Sequence, residues 1–388
     1  MSEIIKNHRD SYSFKEVPIE FKGYREKYFS DFAKKDFPKW KRTKIDDIKF
    51  NGYKEYNSAS LKNAQKETFK IDEITKELIN VKKSVLDLTD RPFGVDEKFV
   101  DMVKAFFNCG FYINAQKDKI TEKPVVIDYM ADEKNNNIID YNIIEAEPYS
   151  KITIIFDYNS GNNGFHNGIT AVIAKEGATV NIVKIQRFGD EFQDFDNNIV
   201  FSGKDAAVNW SNIVIGAKSS IFDVTSYLEE TGGSFTSKSI FLGVDSQKYD
   251  MSYKVFHYAP RTVSSVDLKG ALKGTSKAVF RGDIDIKKGA KKAKADESET
   301  VLLLDKTVKS DSIPALFCKE DDVVANHSAS AGQIDQNKLY YIMSRGFSME
   351  EAKLLMVQAI LNPVIDLIPY DPIREIIIKS HIGRRILK

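Results

Sequence analysis

The segment EGATVNI, residues 176–182, recurs in altered form at two later points of the chain. KDAAVNW begins at residue 204 and TGGSFTS at residue 231, and they place Val180, Val208 and Phe235 at equivalent positions, 28 and 27 residues apart. Each copy is a short β-rich run beside a polar turn, and no helical pattern intervenes. A period of this size is typical of a solenoid, because each coil buries its inward face on the next. The repeat therefore favours a β-helix over a sandwich.

The periodicity of the rest of the chain predicts three regions. Residues 1–114 show helical spacing in pieces, with Asp96 as a predicted N-cap, and are interpreted as an N-terminal helical cap region. Residues 115–332 alternate with a period of two and form the predicted β-helix core. Residues 333–388 return to helical spacing and are predicted to be a C-terminal helical domain.

Three helix starts are predicted in that C-terminal domain. Asp335 is a candidate N-cap, and Asp371 is another because proline follows it at the first helical position. Ser348 and Glu351 have the spacing of a capping box, and Pro363 is expected to end the helix that they begin. That helix carries one apolar stripe, which consists of Ala352, Leu355, Met356, Ala359 and Ile360.

Composition excludes several classes of function. The chain has 388 residues, and its 57 Lys and Arg nearly balance its 56 Asp and Glu, so no net field attracts nucleic acid or an anionic membrane. No run approaches the roughly 20 apolar residues that cross a bilayer, and the first 14 residues lack the apolar core of a signal peptide. We therefore expect a cytoplasmic protein. Its two cysteines, Cys109 and Cys318, are too few for a disulfide framework or for an all-thiolate metal site.

The chain spells out no self-contained metal or nucleotide site. None of its five histidines is paired in an HExxH or similar motif, and no GxxxxGK[ST] loop is present to bind ATP. His327 is nevertheless predicted to lie where a strand meets a turn of small residues, Ser328 to Gly332. An accessible imidazole there would be a competent iron ligand, whereas the alternative is an ordinary hydrogen-bonded structural histidine.

Several segments resemble one protein family. The run DDVVANHSASAGQIDQNKLYYIMSRG, residues 321–346, with PALF before it and EEAKLLMVQAIL after it, resembles the closing segment of the SufB/SufD family of iron-sulfur cluster assembly proteins. LKGALKGTSKAVFRGDIDI, residues 268–286, is also similar to the family. FPKWKRTKIDDIKF, residues 37–50, resembles the SufD-type members in its proline, tryptophan and threonine. The resemblance implies a right-handed parallel β-helix flanked by helical ends, in agreement with the repeat.

The resemblance also implies a function, namely that of a non-catalytic subunit of a SufBCD-type assembly complex. Such a subunit pairs with SufB through β-helix edges, or with a second copy of itself when isolated, and docks the ATPase SufC through its C-terminal helices. His327 would then be an iron or cluster ligand at the partner interface, with the iron or iron-sulfur cluster bound transiently and shared. The residues implied in partner binding are Arg345, Gly346, Glu351, Leu355, Met356 and Ile360.

Two features of the sequence depart from the family pattern. Ala325 stands where the family has a cysteine, and the scaffold cysteine of SufB, expected near Ser298 to Val301, is absent. Cys318 is either a substitute for the cysteine missing at Ala325 or a small buried side chain of the β core. Two other functions remain open, a β-helix carbohydrate-active enzyme that uses Asp283 and Asp285, and a purely structural β-helix oligomer.

Overall fold

The computed structural model describes residues 19–387, apart from 46–47, 49, 51–53, 63–66, 78–80 and 162. The N-terminal run in which a signal peptide was sought lies outside the described residues, as does part of the segment 37–50. None of the described helices is long and apolar enough to cross a membrane.

Two long sheets form the body of the protein. In spatial order, the strands of sheet 1 are β1 (Ala59–Lys62), β4 (Val125–Ala131), β7 (Lys151–Ser160), β9 (Thr179–Arg187), β11 (Ala207–Val214), β13 (Ser234–Gly243), β15 (Val263–Leu272), β17 (Lys294–Leu303) and β19 (Val324–Gln333). Those of sheet 2 are β18 (Lys309–Cys318), β16 (Lys277–Ile286), β14 (Lys248–His257), β12 (Ser219–Leu228), β10 (Glu191–Ser202), β8 (Asn163–Ala174), β6 (Tyr141–Ala146), β3 (Phe111–Ala115) and β2 (Phe69–Glu73), while β5 (Asn137–Ile138) also pairs with β8.

The strands alternate between the two sheets along the chain, which confirms the parallel β-helix. Neighbouring strands within each sheet are parallel, except where β1 pairs with β4 and β2 pairs with β3 at the N-terminal end. The repeat found in the sequence is the register of the coils, since Val180 pairs with Val208 and Val208 pairs with Phe235. The same inward column continues through Ser264 and Ala295 to Ala325, with coils of 29 to 31 residues.

Three apolar clusters hold the coils and the flanking helices together. The first fills the interior between the sheets and includes the stacked Val180, Val208 and Phe235. The second lies between the outer face of sheet 2 and the N-terminal helices, where Trp40 and Phe99 contact Phe195. The third joins the outer face of sheet 1 to the C-terminal helices. Both sheets are thus buried on two faces over much of their length, as is usual for parallel strands.

The N-terminal region contains strands as well as helices. Its helices are α1 (Ile19–Lys34), α2 (Ile74–Glu77), α3 (Lys83–Leu88) and α4 (Glu97–Phe106). Asp96 caps α4 as predicted, because its side chain accepts a hydrogen bond from the backbone N–H of Lys98. Strands β1, β2 and most of β3 also fall within residues 1–114, so this region is only partly helical, and the three domain boundaries stay predictions.

The C-terminal helices follow the predicted caps with two corrections. They are α5 (Gln336–Met343), α6 (Met349–Ile365), α7 (Asp371–Ile376), a π-helical turn (Ile377–Ile382) and α8 (Gly383–Leu387). Asp335 caps α5, and Ser348 with Glu351 forms the capping box of α6.

The first correction concerns the end of α6. The prediction that Pro363 ends this helix is wrong, since the helix continues to Ile365. Leu361, Val364 and Ile365 are buried against sheet 1, and this packing outweighs the one backbone hydrogen bond that proline removes.

The second correction concerns the start of α7. Asp371 is the first residue of that helix and not its N-cap, a position that Tyr370 occupies. The carboxylate of Asp371 binds Arg374 instead of a backbone N–H.

Candidate functional site at the open end of the β-helix

The last coil of the β-helix, formed by β18 and β19, is the least covered part of the solenoid. Among the described residues, β18 pairs only with β16 and β19 only with β17, so each strand leaves one edge unpaired. Large apolar side chains are exposed there, namely Leu316 (39%), Phe317 (56%) and Val324 (55%). We call this surface, residues 309–333, the open end. An exposed apolar strand edge is a ready surface for pairing with another chain.

His327 lies on the open end and is exposed, in the middle of β19. The prediction that it precedes a turn is wrong, because Ser328 to Gly332 continue the strand as far as Gln333. The ladder to β17 holds these small residues extended, which local propensity alone would not show. In that ladder His327 pairs with Glu297, so both side chains lie on the face turned toward the solenoid interior.

Glu297 and Glu299 lie beneath the open end, on the inward face of β17. Both are buried, with 5% and 3% of their surface exposed. Burial, followed by the nearby carboxylates of Asp283 and Glu299, raises the pKa of Glu297 to about 7. Burial also raises the pKa of Glu299, although a hydrogen bond from Ser312 opposes that shift. The sequence analysis missed this pair as site residues. The available signal was the 30-residue distance from Glu297 to His327, which is one coil.

Cys318 is exposed at the edge of the open end. The interpretation of this cysteine as a small buried side chain is therefore wrong. It pairs in register with Ile286, and Ala325 packs on the small cluster that contains Ile286, so the thiol and Ala325 share one corner of the last coil. The thiol donates a hydrogen bond to the carbonyl oxygen of Glu320 at 3.1 Å. The corner where the family cysteine is missing thus still carries one sulfur atom.

The donors at the open end do not make a complete metal site. Among the described residues, no three His, Cys, Asp or Glu side chains are grouped closely enough to hold a metal ion. Imidazole, carboxylate and thiolate are nevertheless the three donor types that iron accepts in proteins. The chain can therefore supply part of a ligand set, which a second chain would have to complete.

Two other histidines are buried inside the solenoid and have structural partners. His257 is held by the hydroxyls of Thr262 at 2.8 Å and Ser264 at 2.9 Å, and burial lowers its pKa to about 4. His166 lies between the carboxylates of Asp140 and Asp194. Neither histidine is near the surface, so neither is a candidate ligand for an external ion.

The predicted partner-binding residues of α6 line a second exposed feature, a groove of about 680 Å³ between α5 and α6. Leu355, Met356, Ala359 and Ile360 form one wall, and Tyr341 and Ile342 form part of the other. Leu355 is 38% exposed, whereas Met356 and Ile360 are partly buried against the third apolar cluster. The buried side of α6 is a neighbouring stripe, which consists of Ala352, Val357, Leu361, Val364 and Ile365.

The remaining predicted partner residues have local structural roles. Glu351 accepts hydrogen bonds from Ser348 in the capping box, and Gly346 has a positive φ of 98°, which glycine adopts without strain. Arg345 is exposed and donates a hydrogen bond to the hydroxyl of Tyr341 at 3.0 Å. Arg345 and Tyr341 thus stand together at one end of the groove.

The match to a family profile identifies the chain. The profile described as SUF system FeS cluster assembly, SufBD core domain, matches residues 129–360, from β4 to α6. The chain belongs to the SufBD family. The matched region is more than half of the chain and includes the whole open end with His327.

Individual relatives place this SufBD chain nearer to SufD than to SufB. It is 27% identical over 310 residues to the iron-sulfur cluster assembly protein SufD of Bacillus subtilis (strain 168), which covers 77% of this chain and 71% of the relative. It is 23% identical over 279 residues to SufB of the same organism, covering 71% and 60%. A SufBD family protein of Mycobacterium bovis is 25% identical over 209 residues, and this match spans only 25% of that longer chain. The family and these relatives imply a role in iron-sulfur cluster assembly.

Proposed function

We propose that this protein is a non-catalytic, SufD-like subunit of a SufBCD-type complex and helps iron enter, or a cluster form, at an interface with a SufB-type partner. The observation that carries the proposal is the position of His327, exposed on an uncovered last coil within the matched family region. Iron or the nascent cluster is the cargo of this reaction.

The open end supports pairing with a second β-helix. Strands β18 and β19 offer unpaired backbone N–H and C=O groups, and Leu316, Phe317 and Val324 offer apolar surface beside them. A partner that adds its own strands satisfies these groups and buries these side chains together. Such pairing also brings a second set of ligands next to His327, as an incomplete donor set requires.

The groove between α5 and α6 supports docking of the ATPase subunit. Its walls are mostly apolar, and exposed aromatic side chains of Tyr340, Tyr341 and Phe347 adjoin it. Exposed aromatic and apolar patches of this kind mark protein interfaces more often than they occur on free surfaces. Docking there leaves the open end free, so one chain can hold both partners at once.

The alternative of a carbohydrate-active β-helix enzyme gains no support from the acidic pair considered for it. Asp285 is bound by Lys287, with 2.5 Å between the carboxylate and the ammonium nitrogen. Burial raises the pKa of Asp283, which has Lys254 and Arg281 nearby. Asp285 is therefore already engaged in an ion pair.

The substitution His327→Ala, made in the complex with SufB-type and SufC-type partners, tests the proposal. Cluster formation under anaerobic reconstitution should fall about tenfold or more, because a ligand is lost from a shared site. Assembly of the complex and the melting temperature should not change, since the side chain is exposed. Ser328→Ala, the next residue on the opposite face of β19, is the matched control. An unchanged cluster yield in the assembled His327→Ala complex would refute the ligand role.

A further inference from the structure

The solenoid interior contains two carboxylates that lack a cation. Glu297 and Glu299 are two residues apart on β17 and point inward, and each is more than nine-tenths buried. Within the described residues, neither forms an ion pair, and Oε1 of Glu299 is buried with no hydrogen-bond partner. A buried carboxylate normally needs a partner, because removal from water disfavours its charge strongly.

Other inward-facing carboxylates of the same solenoid all contact a cation. Asp196 accepts from Lys184 at 2.6 Å, and Asp140 and Asp194 flank His166 at 2.6 and 2.5 Å. The charged groups that act on Glu297 are instead Asp283 and Glu299, both acidic. The fold therefore neutralises its buried acids elsewhere but leaves this pair uncompensated.

The surroundings of the pair leave space next to the carboxylate of Glu297. This carboxylate lies across the interior over Gly282, where a Cβ would come within 2.1 to 2.2 Å of its atoms. Any other residue at position 282 would thus collide with it. Above the pair, toward the open end, stand His327, in register with Glu297, and Ala329, in register with Glu299, while Ser312 binds Glu299 from the other sheet.

We propose that Glu297 and Glu299 bind a hard divalent cation, Fe²⁺ or Mn²⁺ in chemical class, directly beneath His327. Carboxylate oxygens are preferred by such ions, and an imidazole nitrogen nearby favours iron or manganese over calcium or magnesium. Two carboxylates leave several coordination positions to water, to Ser312 or to ligands of a partner, consistent with the absence of a three-residue group in the described chain. This inference deepens the proposed function, on which its link to cluster assembly rests.

Metal binding by the full-length chain alone, in anaerobic buffer, tests this site separately from cluster formation. Fe²⁺ and Mn²⁺ are titrated by calorimetry, and melting temperatures are measured with and without each ion. The natural chain should bind one ion and melt at a higher temperature in its presence. The double substitution Glu297→Gln and Glu299→Gln should weaken binding about tenfold or more and remove the metal-dependent shift. It should also raise the melting temperature of the metal-free protein, because it removes buried charge.

Asp296→Asn is the matched control, since Asp296 lies on the same strand but its carboxylate faces outward to Asn326. It should bind the ion as the natural chain does. The single substitution Glu299→Gln gives the same readout if the double variant does not fold. Absence of binding by the natural chain, or equal binding by the Gln variants, would overturn the site. Either result would leave the role of His327 standing, because that role is measured by cluster yield in the complex.

Discussion

The buried ion cluster around His166 predicts an unusual alkaline loss of stability. The imidazole Nδ1 is 2.5 Å from Asp194 and Nε2 is 2.6 Å from Asp140, in the interior of the β-helix. Burial by itself would lower the pKa of His166, but the two carboxylates outweigh it and raise the pKa to about 9. The histidine is therefore charged at neutral pH and donates from both nitrogens.

The size and the pH window of the effect follow from this pKa. A rise from 6.5 to about 9 corresponds to about 3 kcal/mol of stability. Because the folded protein holds the proton more tightly than the unfolded chain, this contribution is fully present below pH 6.5 and is lost as pH rises through 9. The substitution His166→Gln should cost about 3 to 5 kcal/mol at neutral pH, since one amide cannot neutralise two buried carboxylates.

The assay is guanidinium chloride unfolding of the natural chain and of His166→Gln at several pH values from 6.5 to 9. The natural chain should lose about 3 kcal/mol across this range. The variant should lose much less, so the two free energies of unfolding should converge toward pH 9. Parallel curves for the two proteins would show that the charge of His166 does not stabilise the fold, and the reasoning from the two carboxylates would fail.

Two further predictions concern the acid side of the stability curve and the α5–α6 groove. Because burial lowers the pKa of His257 to about 4, the natural chain should lose about 3 kcal/mol as pH falls from 6.5 to 4, and His257→Gln should lose less in denaturant unfolding over that range. An acid slope that is unchanged in the variant would contradict this. Leu355→Asp should prevent co-purification with a SufC-type ATPase while leaving the melting temperature unchanged, since Leu355 is 38% exposed. Met356→Asp should also destabilise the fold, because Met356 packs on the core. Retained binding by Leu355→Asp would remove the groove from the proposed interface.

Much of the candidate site could be predicted only in part, because it depends on the register of distant strands. His327 was identifiable from the segment around it, but its place in mid-strand depends on the ladder to β17. Glu297 lies 30 residues away in sequence, and nothing local distinguishes it from the exposed Asp296 beside it. The open position of Cys318 likewise depends on the absence of a further coil over β18 in the described chain.

Local interactions explain what could be determined from the sequence alone. The 28- and 27-residue repeat and the capping signals at Asp335 and Ser348 act over a few residues or one coil, so they predicted the β-helix and the helix starts. The extension of α6 past Pro363, the uncompensated Glu297 and Glu299, and the paired His166 depend on which surfaces meet after folding. Burial and charge pairing are properties of those meetings, and for this reason only the tertiary structure shows them.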